Sequence, residues 1–309
     1  MSIKMISPQV LHDSLKDHKP IFIIDTMVDD HFRSVHLPGA INICVYEVVF
    51  LENIARLIPE KGQMIVVYGS NDNSLEAATA AEKLVGAGYQ DVSMLRGGLM
   101  GFKALGYKLE GEDVGVLERV EQQVPSEDIR FYVDCGQSII RWFGHNKNTT
   151  HYGNIHLSSG EFGIRDRNIE GSFEIDMRSI EDIDLKGDPL HPQLTTHLKS
   201  EDFFFVRLFP RASFTITSAE QIEEIPSSLP NFRVQGIFEL RGLKNEIEFL
   251  ANVSPPMDGE VKIEAHFDID RTHWGVLYGS SQFFEHLGYH LVYNLVSIQI
   301  RLVARTMAI

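Results

Sequence analysis

The stretch VKIEAHFDID, residues 261–270, alternates strictly between apolar and polar side chains. Its apolar members all fall on one side of an extended chain: Val261, Ile263, Ala265, Phe267 and Ile269. A period of two is typical of a β-strand with one buried face and one face in water. The stretch therefore predicts a strand of an antiparallel sheet, since strands of that kind commonly face water on one side.

The same alternation recurs on both sides of this stretch. It is seen in SFEIDM (172–177), ASFTIT (212–217), FRVQGIFELRG (232–242), EIEFLANV (246–253) and HLVYNLVSIQIRLVAR (290–305). Many short strands in succession predict an antiparallel sandwich or a closed barrel. The exception is PQLTTHLKSEDFFF, which predicts one short helix around residues 194–203.

The first third of the chain has a different pattern. Near-continuous apolar runs occur in PIFIIDT (20–26), QMIVVYG (63–69) and DVSMLRGG (91–98), and SLEAATAAEKLVGAGY (74–89) has apolar residues at helical spacing. Apolar strands that alternate with helices predict a parallel sheet covered by helices on both faces.

An acidic, polar segment separates the two patterns. Residues 110–128, EGEDVGVLERVEQQVPSED, predict a linker with a little helix in it. We therefore expect a first domain over residues 1–112, a linker over 113–128 and a second domain over 129–309. The fold class is α/β followed by all-β.

Charge and cysteine content limit the function. The 309 residues carry a formal net charge of -15, which argues against non-specific nucleic-acid binding and against an anionic membrane surface. Cys44 and Cys135 form no Cys-x-x-Cys pair. The first residues lack the apolar core of a secretory signal, and no run has the length of a membrane span. We expect a cytoplasmic protein.

Four stretches of the first domain resemble one known family. They are IIDT (23–26), HFRSVHLPGAINI (31–43), IVVYG (65–69) and GYQDVSMLRGGLMGFKALGYKLEG (88–111). Together they resemble a rhodanese homology domain over about residues 1–112. In that family a cysteine follows the VVY strand, and backbone N–H groups hold its thiolate while it carries a persulfide.

Glycine replaces that cysteine here. The resemblance places Gly69 at the cysteine position, and a nearby carboxylate, Asp72, would repel thiosulfate or phosphate. We interpret the following residues as an inactive rhodanese loop: Gly69, Ser70, Asn71, Asp72, Asn73 and Ser74. The domain then serves for interaction, with weak anion binding by bare N–H groups as the alternative. Ser74 is predicted to cap the next helix, and Cys44 to be a small buried hydrophobic residue.

The second domain resembles a different family. The stretches that carry this resemblance are RWFGHNKNTTHYGNIHLSSGEF (141–162), IEGSFEIDMRSI (169–180), HLKSEDFFFVRLFPRASFTIT (197–217), VQGIFELRGLKNEIEF (234–249) and FDIDRTHWGVLYGSSQFFEHLG (267–288). They resemble the YceI family over about residues 131–305. The resemblance implies a closed, lipocalin-like barrel with one short helix that binds a polyisoprenoid or another long amphiphile.

This resemblance, combined with the alternation, gives a predicted ligand site. The expected apolar contacts are Ile175, Met177, Phe214, Ile216, Phe238, Leu240, Phe249, Ile263 and Phe267, with Trp142, Trp274 and Tyr278 at the mouth or floor. The candidates for contact with a polar head are Arg141, Lys147, His151 and Arg271. For any single apolar residue of this set a plain core role is the better prediction, and only the family resemblance favours a cavity.

The histidines predict neither a metal site nor a catalytic site. His145, His151 and His156 match no zinc-binding spacing. Glu285 stands beside His286 and near His290, but no serine in a nucleophile-elbow context accompanies them. We expect no metal and no cofactor.

Three functions are compatible with this reading, in order of preference. The first is binding of an isoprenoid, quinone-like or fatty compound in the barrel, with protein partners contacted by the rhodanese-like domain. The second is a regulatory interaction module without a ligand. The third is a sulfurtransferase that uses Cys44 or another non-standard cysteine. An edge strand near LVSIQIRLV (295–303) suggests a homodimer.

Overall fold

The computed structural model describes residues 3–17, 20–112, 129–165, 168–223 and 225–306. Its chain contacts separate into two compact units, Met1–Arg119 and Val120–Ile309. Each unit is described by itself. The predicted linker, residues 113–128, lies outside the described residues.

The described part of the first unit is an α/β sheet structure. Its strands are β1 (Lys4–Ile6), β2 (Phe22–Asp25), β3 (Ile41–Asn42), β4 (Met64–Tyr68) and β5 (Asp91–Leu95), in the order β1-β5-β4-β2-β3. Every pairing is parallel, as predicted. Its helices are α1 (Pro8–Lys16), α2 (Asp29–Ser34), α3 (Phe50–Leu57), α4 (Glu76–Gly86) and α5 (Gly98–Ala104).

The central strand β4 explains why helices cover both faces of the sheet. Ile65 and Val67 point into a hydrophobic cluster that includes residues of α3 and α4. Val66 and Tyr68 point the other way, into a cluster that includes residues of α1 and α5. Successive side chains of a strand alternate between faces, so a continuous apolar run needs cover on both sides.

The described part of the second unit is a closed antiparallel barrel. Its strands are β6 (Ile129–Val133), β7 (Ile139–Asn146), β8 (Thr150–Arg165), β9 (Asn168–Asp182), β10 (Arg211–Gln221), β11 (Phe232–Leu240), β12 (Leu243–Val253), β13 (Glu260–Asp270) and β14 (Val292–Thr306). Each strand from β8 to β14 pairs with the next, and β6 and β7 lie one after the other between β14 and β8. The strands therefore occupy eight positions around a ring.

Closure of the ring overturns one expectation. Strand β14, which contains residues 295–303, pairs with β13 on one side and with β6 and β7 on the other. It is not a sheet edge, so the predicted edge at this strand is wrong, while a homodimer stays an untested prediction. A closed barrel leaves no row of unpaired backbone groups there.

The helix of the barrel unit begins and ends earlier than predicted. Helix α6 spans His191–Lys199, whereas the sequence pattern predicted residues 194–203. Pro192 lies in its first turn, where proline is favoured, and Ser200 adopts an extended conformation that ends the helix. Phe203 lies in the following turn. Two short 3₁₀ helices, Arg271–Trp274 and Gly288–His290, lie between β13 and β14.

Candidate functional site

The inner face of the barrel surrounds an apolar cavity. Its volume is ≈ 160 Å³. That is roughly ten times the space that a single buried water requires. The wall is formed by apolar side chains of β7 to β14, by Phe204 from the segment before β10 and by one described charged residue, Arg271. The inward-facing residues therefore leave the lumen unfilled.

Most of the predicted contact residues lie in this wall. The cavity is lined by Trp142, Ile175, Met177, Phe214, Ile216, Phe238, Leu240, Phe249, Ile263 and Phe267. The period-two pattern predicts this face correctly, because antiparallel pairing places like-facing residues side by side, as for Phe214 with both Phe173 and Phe238. Their contact with a ligand stays a prediction.

Arg271 places a positive charge in the apolar wall. It is 2% exposed and stands directly after β13. Its Nε donates to the Tyr293 carbonyl at 3.1 Å, Nη1 to the Val276 carbonyl at 2.5 Å and Nη2 to the Val292 carbonyl at 3.0 Å. Burial lowers the pKa of this guanidinium from its usual range. A guanidinium has five N–H donors, so these three bonds leave two for another acceptor.

The neighbouring carboxylate does not pair with Arg271. Asp270 Oδ1 instead accepts from the backbone N–H of Thr272 at 2.9 Å and from its hydroxyl at 2.6 Å. The charge of Arg271 is therefore balanced by carbonyl dipoles rather than by an ion pair with this residue. Such a group favours an oxygen-rich or anionic partner.

Trp142 also lines the cavity and carries a buried donor. Its indole Nε1 is buried and has no hydrogen-bond partner among the described residues. A buried donor without an acceptor costs about 1–3 kcal/mol. An oxygen atom of a ligand could supply the acceptor.

The loop after β4 contrasts with the cavity, because two side chains lie close to the position of a side chain at residue 69. A Cβ atom added to Gly69 would lie 2.9 Å from Glu76 Oε2 and 3.1 Å from Ser74 Oγ. Glu76 Oε2 is buried without a hydrogen-bond partner in the described chain, while Oε1 accepts from the Tyr46 hydroxyl at 3.3 Å. The place where a side chain of residue 69 would begin is therefore bordered by a carboxylate.

Comparison with known sequences identifies both units. A sequence profile of the YceI-like domain matches residues 131–304, more than half of the chain. The chain belongs to the YceI-like family. A profile of the Rhodanese-like domain matches residues 7–105, so a rhodanese-like domain precedes the YceI-like domain. No curated protein matches the chain significantly.

Solved structures resemble each domain separately. Burkholderia cenocepacia BcnA is 18% identical, with 55% of this chain and 98% of that chain covered and a TM-score of 0.44. A polyisoprenoid binding domain from Saccharophagus degradans, implicated in plant cell wall breakdown, is 12% identical, with 58% and 99% covered and a TM-score of 0.42. A rhodanese-like domain from Anabaena sp. is 26% identical, with 41% and 100% covered and a TM-score of 0.33.

Two aromatic residues predicted for the cavity of the YceI-like domain do not line it. Trp274 is buried, packs edge-on against Phe238 and donates from Nε1 to the Phe238 carbonyl at 2.9 Å. Tyr278 is half-buried against His197 and Phe203. Both follow β13 outside the strand pattern, so alternation could not predict their direction.

Three of the four predicted head contacts are also absent from the wall. Arg141 is exposed, because it neighbours the inward-facing Trp142 on β7 and must point outward. Lys147 is exposed between β7 and β8. His151 instead contacts Asp184, with 3.0 Å between Nδ1 and Oδ2. Arg271 alone of the four lines the cavity.

The loop of the rhodanese-like domain also differs from its predicted capping. Helix α4 begins at Glu76, and its N-cap residue is Leu75 without a side-chain cap. The Ser74 hydroxyl donates to the Asn71 carbonyl at 2.9 Å and accepts from the Asn71 N–H at 3.3 Å. The predicted N-cap at Ser74 is wrong because this hydroxyl closes the loop itself. The Asp72 carboxylate accepts from the N–H of Gly97.

Neither cysteine is an exposed thiol in an electropositive setting. Cys44 is buried, as predicted. Cys135 is half-buried, and burial together with the nearby Asp134 carboxylate raises the pKa of its thiol. A raised pKa lowers the thiolate fraction and hence the reactivity.

The remaining histidines have separate partners. His145 Nδ1 lies 2.9 Å from the Thr150 hydroxyl, and His290 Nδ1 lies 3.1 Å from the Tyr278 hydroxyl. His286 and Glu285 are both almost fully exposed.

In the described part of the chain, no helix combines the length and apolarity needed to cross a membrane.

Proposed function

We propose that the YceI-like domain binds a long-chain amphiphile, an isoprenoid, quinone-like or fatty compound, inside its barrel. The observation that carries this proposal is an unfilled apolar cavity with a single buried guanidinium in its wall. A cavity lined by aliphatic and aromatic side chains favours an apolar chain, since each buried methylene gains about 0.8 kcal/mol. The family match supports a ligand-binding barrel.

Two residues that line the cavity carry buried N–H donors, which favours a ligand with an oxygen-bearing head. Arg271 has donors to spare, and the Trp142 indole has no described acceptor. A hydroxyl, quinone carbonyl or carboxylate could accept from either. A plain hydrocarbon would leave the Trp142 indole without an acceptor, which favours an amphiphile over an alkane.

We propose that the rhodanese-like domain is a non-catalytic interaction module. Gly69 stands where the family resemblance places the nucleophile, and glycine cannot carry sulfur. The Glu76 and Asp72 carboxylates would also repel an anionic sulfur donor. A sulfurtransferase that uses Cys44 is disfavoured by the burial of that thiol.

We place the protein in the cytoplasm, a proposal supported by its free cysteines.

The two tryptophans offer a direct test of amphiphile binding. Trp142 lines the cavity, whereas Trp274 does not. Titration of the full chain with a polyisoprenyl alcohol, a long-chain quinone and a fatty acid should change the intrinsic fluorescence. Trp142→Phe should abolish most of the change, and the matched variant Trp274→Phe should keep it. No saturable change with any of the three compounds would contradict the proposal.

A further inference from the structure

Three side chains converge at one end of the barrel, where β8 begins and β9 ends. His151, Asp182 and Asp184 each offer one metal-ligating atom, and these atoms lie within 4.8 Å of one another. His151 Nδ1 is 3.0 Å from Asp184 Oδ2. The cross-strand pair Gly153 with Asp182 brings the residues together, although the histidine is more than thirty residues distant in sequence.

The backbone at this pair approaches closely, and it requires glycine. A Cβ on Gly153 would lie 1.8 Å from the Glu181 carbonyl oxygen and 2.8 Å from the Trp142 ring. Neither contact is sterically allowed. Gly153 therefore permits the approach that places His151 beside the two carboxylates.

Asp182, a member of this cluster, has an unsatisfied carboxylate oxygen. The residue is 0% exposed. Its Oδ1 accepts from the Leu185 N–H at 3.0 Å, but its Oδ2 is buried without a hydrogen-bond partner in the described chain. A fully buried carboxylate must be neutralised, either by a proton shared with Asp184 or by a cation.

His151 and Asp184 each make a further contact through their second polar atom. Asp184 Oδ1 accepts from the Tyr152 N–H at 2.8 Å. His151 Nε2 lies 3.4 Å from the Thr149 hydroxyl, while Nδ1 lies 3.0 Å from Asp184 Oδ2, so an ion bound at Nδ1 would replace the proton shared between these two atoms. Hydrogen bonds of this kind orient the ligands in metal sites.

We propose that His151, Asp182 and Asp184 bind one divalent transition-metal ion, with Zn²⁺ as the representative. One imidazole nitrogen and two carboxylate oxygens suit such an ion better than Mg²⁺ or Ca²⁺. Zinc lies about 2.0–2.2 Å from nitrogen and oxygen ligands, which requires the cluster to contract slightly. The side chains of His151 and Asp184 are 27% and 18% exposed, so an ion and a water ligand can enter.

The ion would cross-link two strands at one end of the barrel. It would join the start of β8 to the end of β9, and the Asp182 carbonyl already lies 2.9 Å from Nε2 of His191, the first residue of α6. Binding to the folded state alone raises its stability by mass action. This inference does not rest on the proposed amphiphile binding. The sequence alone predicts no metal, because the two aspartates are far from His151 along the chain and only strand pairing brings them close to it.

Metal content of the full chain tests the site. We would strip the protein with a chelator, dialyse it against Zn²⁺ or Co²⁺ and measure bound metal by mass spectrometry. We expect one ion per chain, and at least tenfold weaker binding in His151→Ala and in the isosteric Asp182→Asn. With Co²⁺, we expect a visible d–d absorption band that His151→Ala loses. Circular dichroism checks that each variant is folded.

A second histidine–aspartate pair provides the matched control. His197 Nε2 and Asp202 Oδ2 are also 3.0 Å apart, but they are not part of this cluster. His197→Ala should keep the ion. Absence of stoichiometric metal in the wild type would overturn the proposal and leave a shared proton as the neutralising group. Equal binding by the wild type, His151→Ala and Asp182→Asn would overturn it as well.

Discussion

The loop after β4 and the lumen of the barrel are two places where these folds can hold a small molecule, and they differ in packing. In the loop, the Glu76 carboxylate borders the space beside Gly69. In the barrel, the inward side chains leave ≈ 160 Å³ open. The comparison shows that a fold supplies only the position of a site, whereas side-chain volume decides whether a ligand can enter it.

The two places also differ in charge. The loop carries two carboxylates, Asp72 and Glu76, near the position where an anionic donor would bind. The cavity wall carries Arg271, whose guanidinium is held by three backbone carbonyls. The first arrangement repels anions, and the second attracts an oxygen-bearing head. Packing and charge thus favour the barrel as the ligand site.

Filling the cavity gives the largest expected effect. Ala265 lines the lumen and is 3% exposed. Ala265→Phe should weaken amphiphile binding at least a hundredfold, about 2.7 kcal/mol. The free energy of unfolding should change by less than about 1 kcal/mol, because the ring enters empty space. Fluorescence titration and urea denaturation measure the two quantities.

The matched control is a substitution in the packed first domain. Ala80 of α4 is 0% exposed within a filled hydrophobic cluster. Ala80→Phe should destabilise its domain by about 1–3 kcal/mol, the usual cost of overpacking. If Ala265→Phe destabilised the barrel equally, the lumen would be filled and the comparison would fail.

Removal of the buried Arg271 guanidinium gives the next-largest expected effect on ligand affinity. Arg271→Met should weaken binding of an amphiphile with an oxygen head by about tenfold to a hundredfold, the range of a hydrogen bond to a charged group. The control is Arg241→Met, because Arg241 Nη1 also donates to two carbonyls, those of Phe203 and Gly275, without lining the cavity. Equal affinity losses in both variants would assign Arg271 a purely structural role.

Restoring a cysteine tests the charge of the loop. Gly69→Cys should show no sulfur transfer from thiosulfate, and the thiol should have a pKa above the usual value because the Glu76 carboxylate disfavours the thiolate. Adding Glu76→Gln should lower that pKa by about one unit or more. The pH dependence of alkylation by iodoacetamide measures both values. Rapid persulfide formation in Gly69→Cys alone would show that the loop accepts anions.

The smallest effect concerns a buried acid of the first domain. Asp25 of β2 is 0% exposed, and burial raises its pKa although the Tyr68 hydroxyl partly offsets this. A carboxyl with a raised folded-state pKa contributes stability below its unfolded pKa of about 3.9. That contribution is lost as the pH rises through the folded-state value. The stability of the wild type relative to Asp25→Asn should therefore fall between pH 4 and neutrality, and urea denaturation monitored by circular dichroism would measure this. A difference independent of pH would refute it.

Strand periodicity predicts much of this molecule, but it does not predict contacts between distant segments. Alternation alone places Phe214 and Phe267 in the lumen. Because Trp142 points inward, the same alternation makes its neighbour Arg141 point outward. Trp274 follows the end of a strand, where no period applies. The approach of Asp182 to His151 depends on the register between β8 and β9, which the local sequence does not specify.

Native mass spectrometry of the purified full chain, followed by solvent extraction, tests the central claim most directly. We predict a stoichiometric long-chain compound with an oxygen-bearing head, present in the wild type and lost in Ala265→Phe. A wild-type barrel that carries no such compound, and takes up none when isoprenoids, quinones and fatty acids are added, would contradict the account.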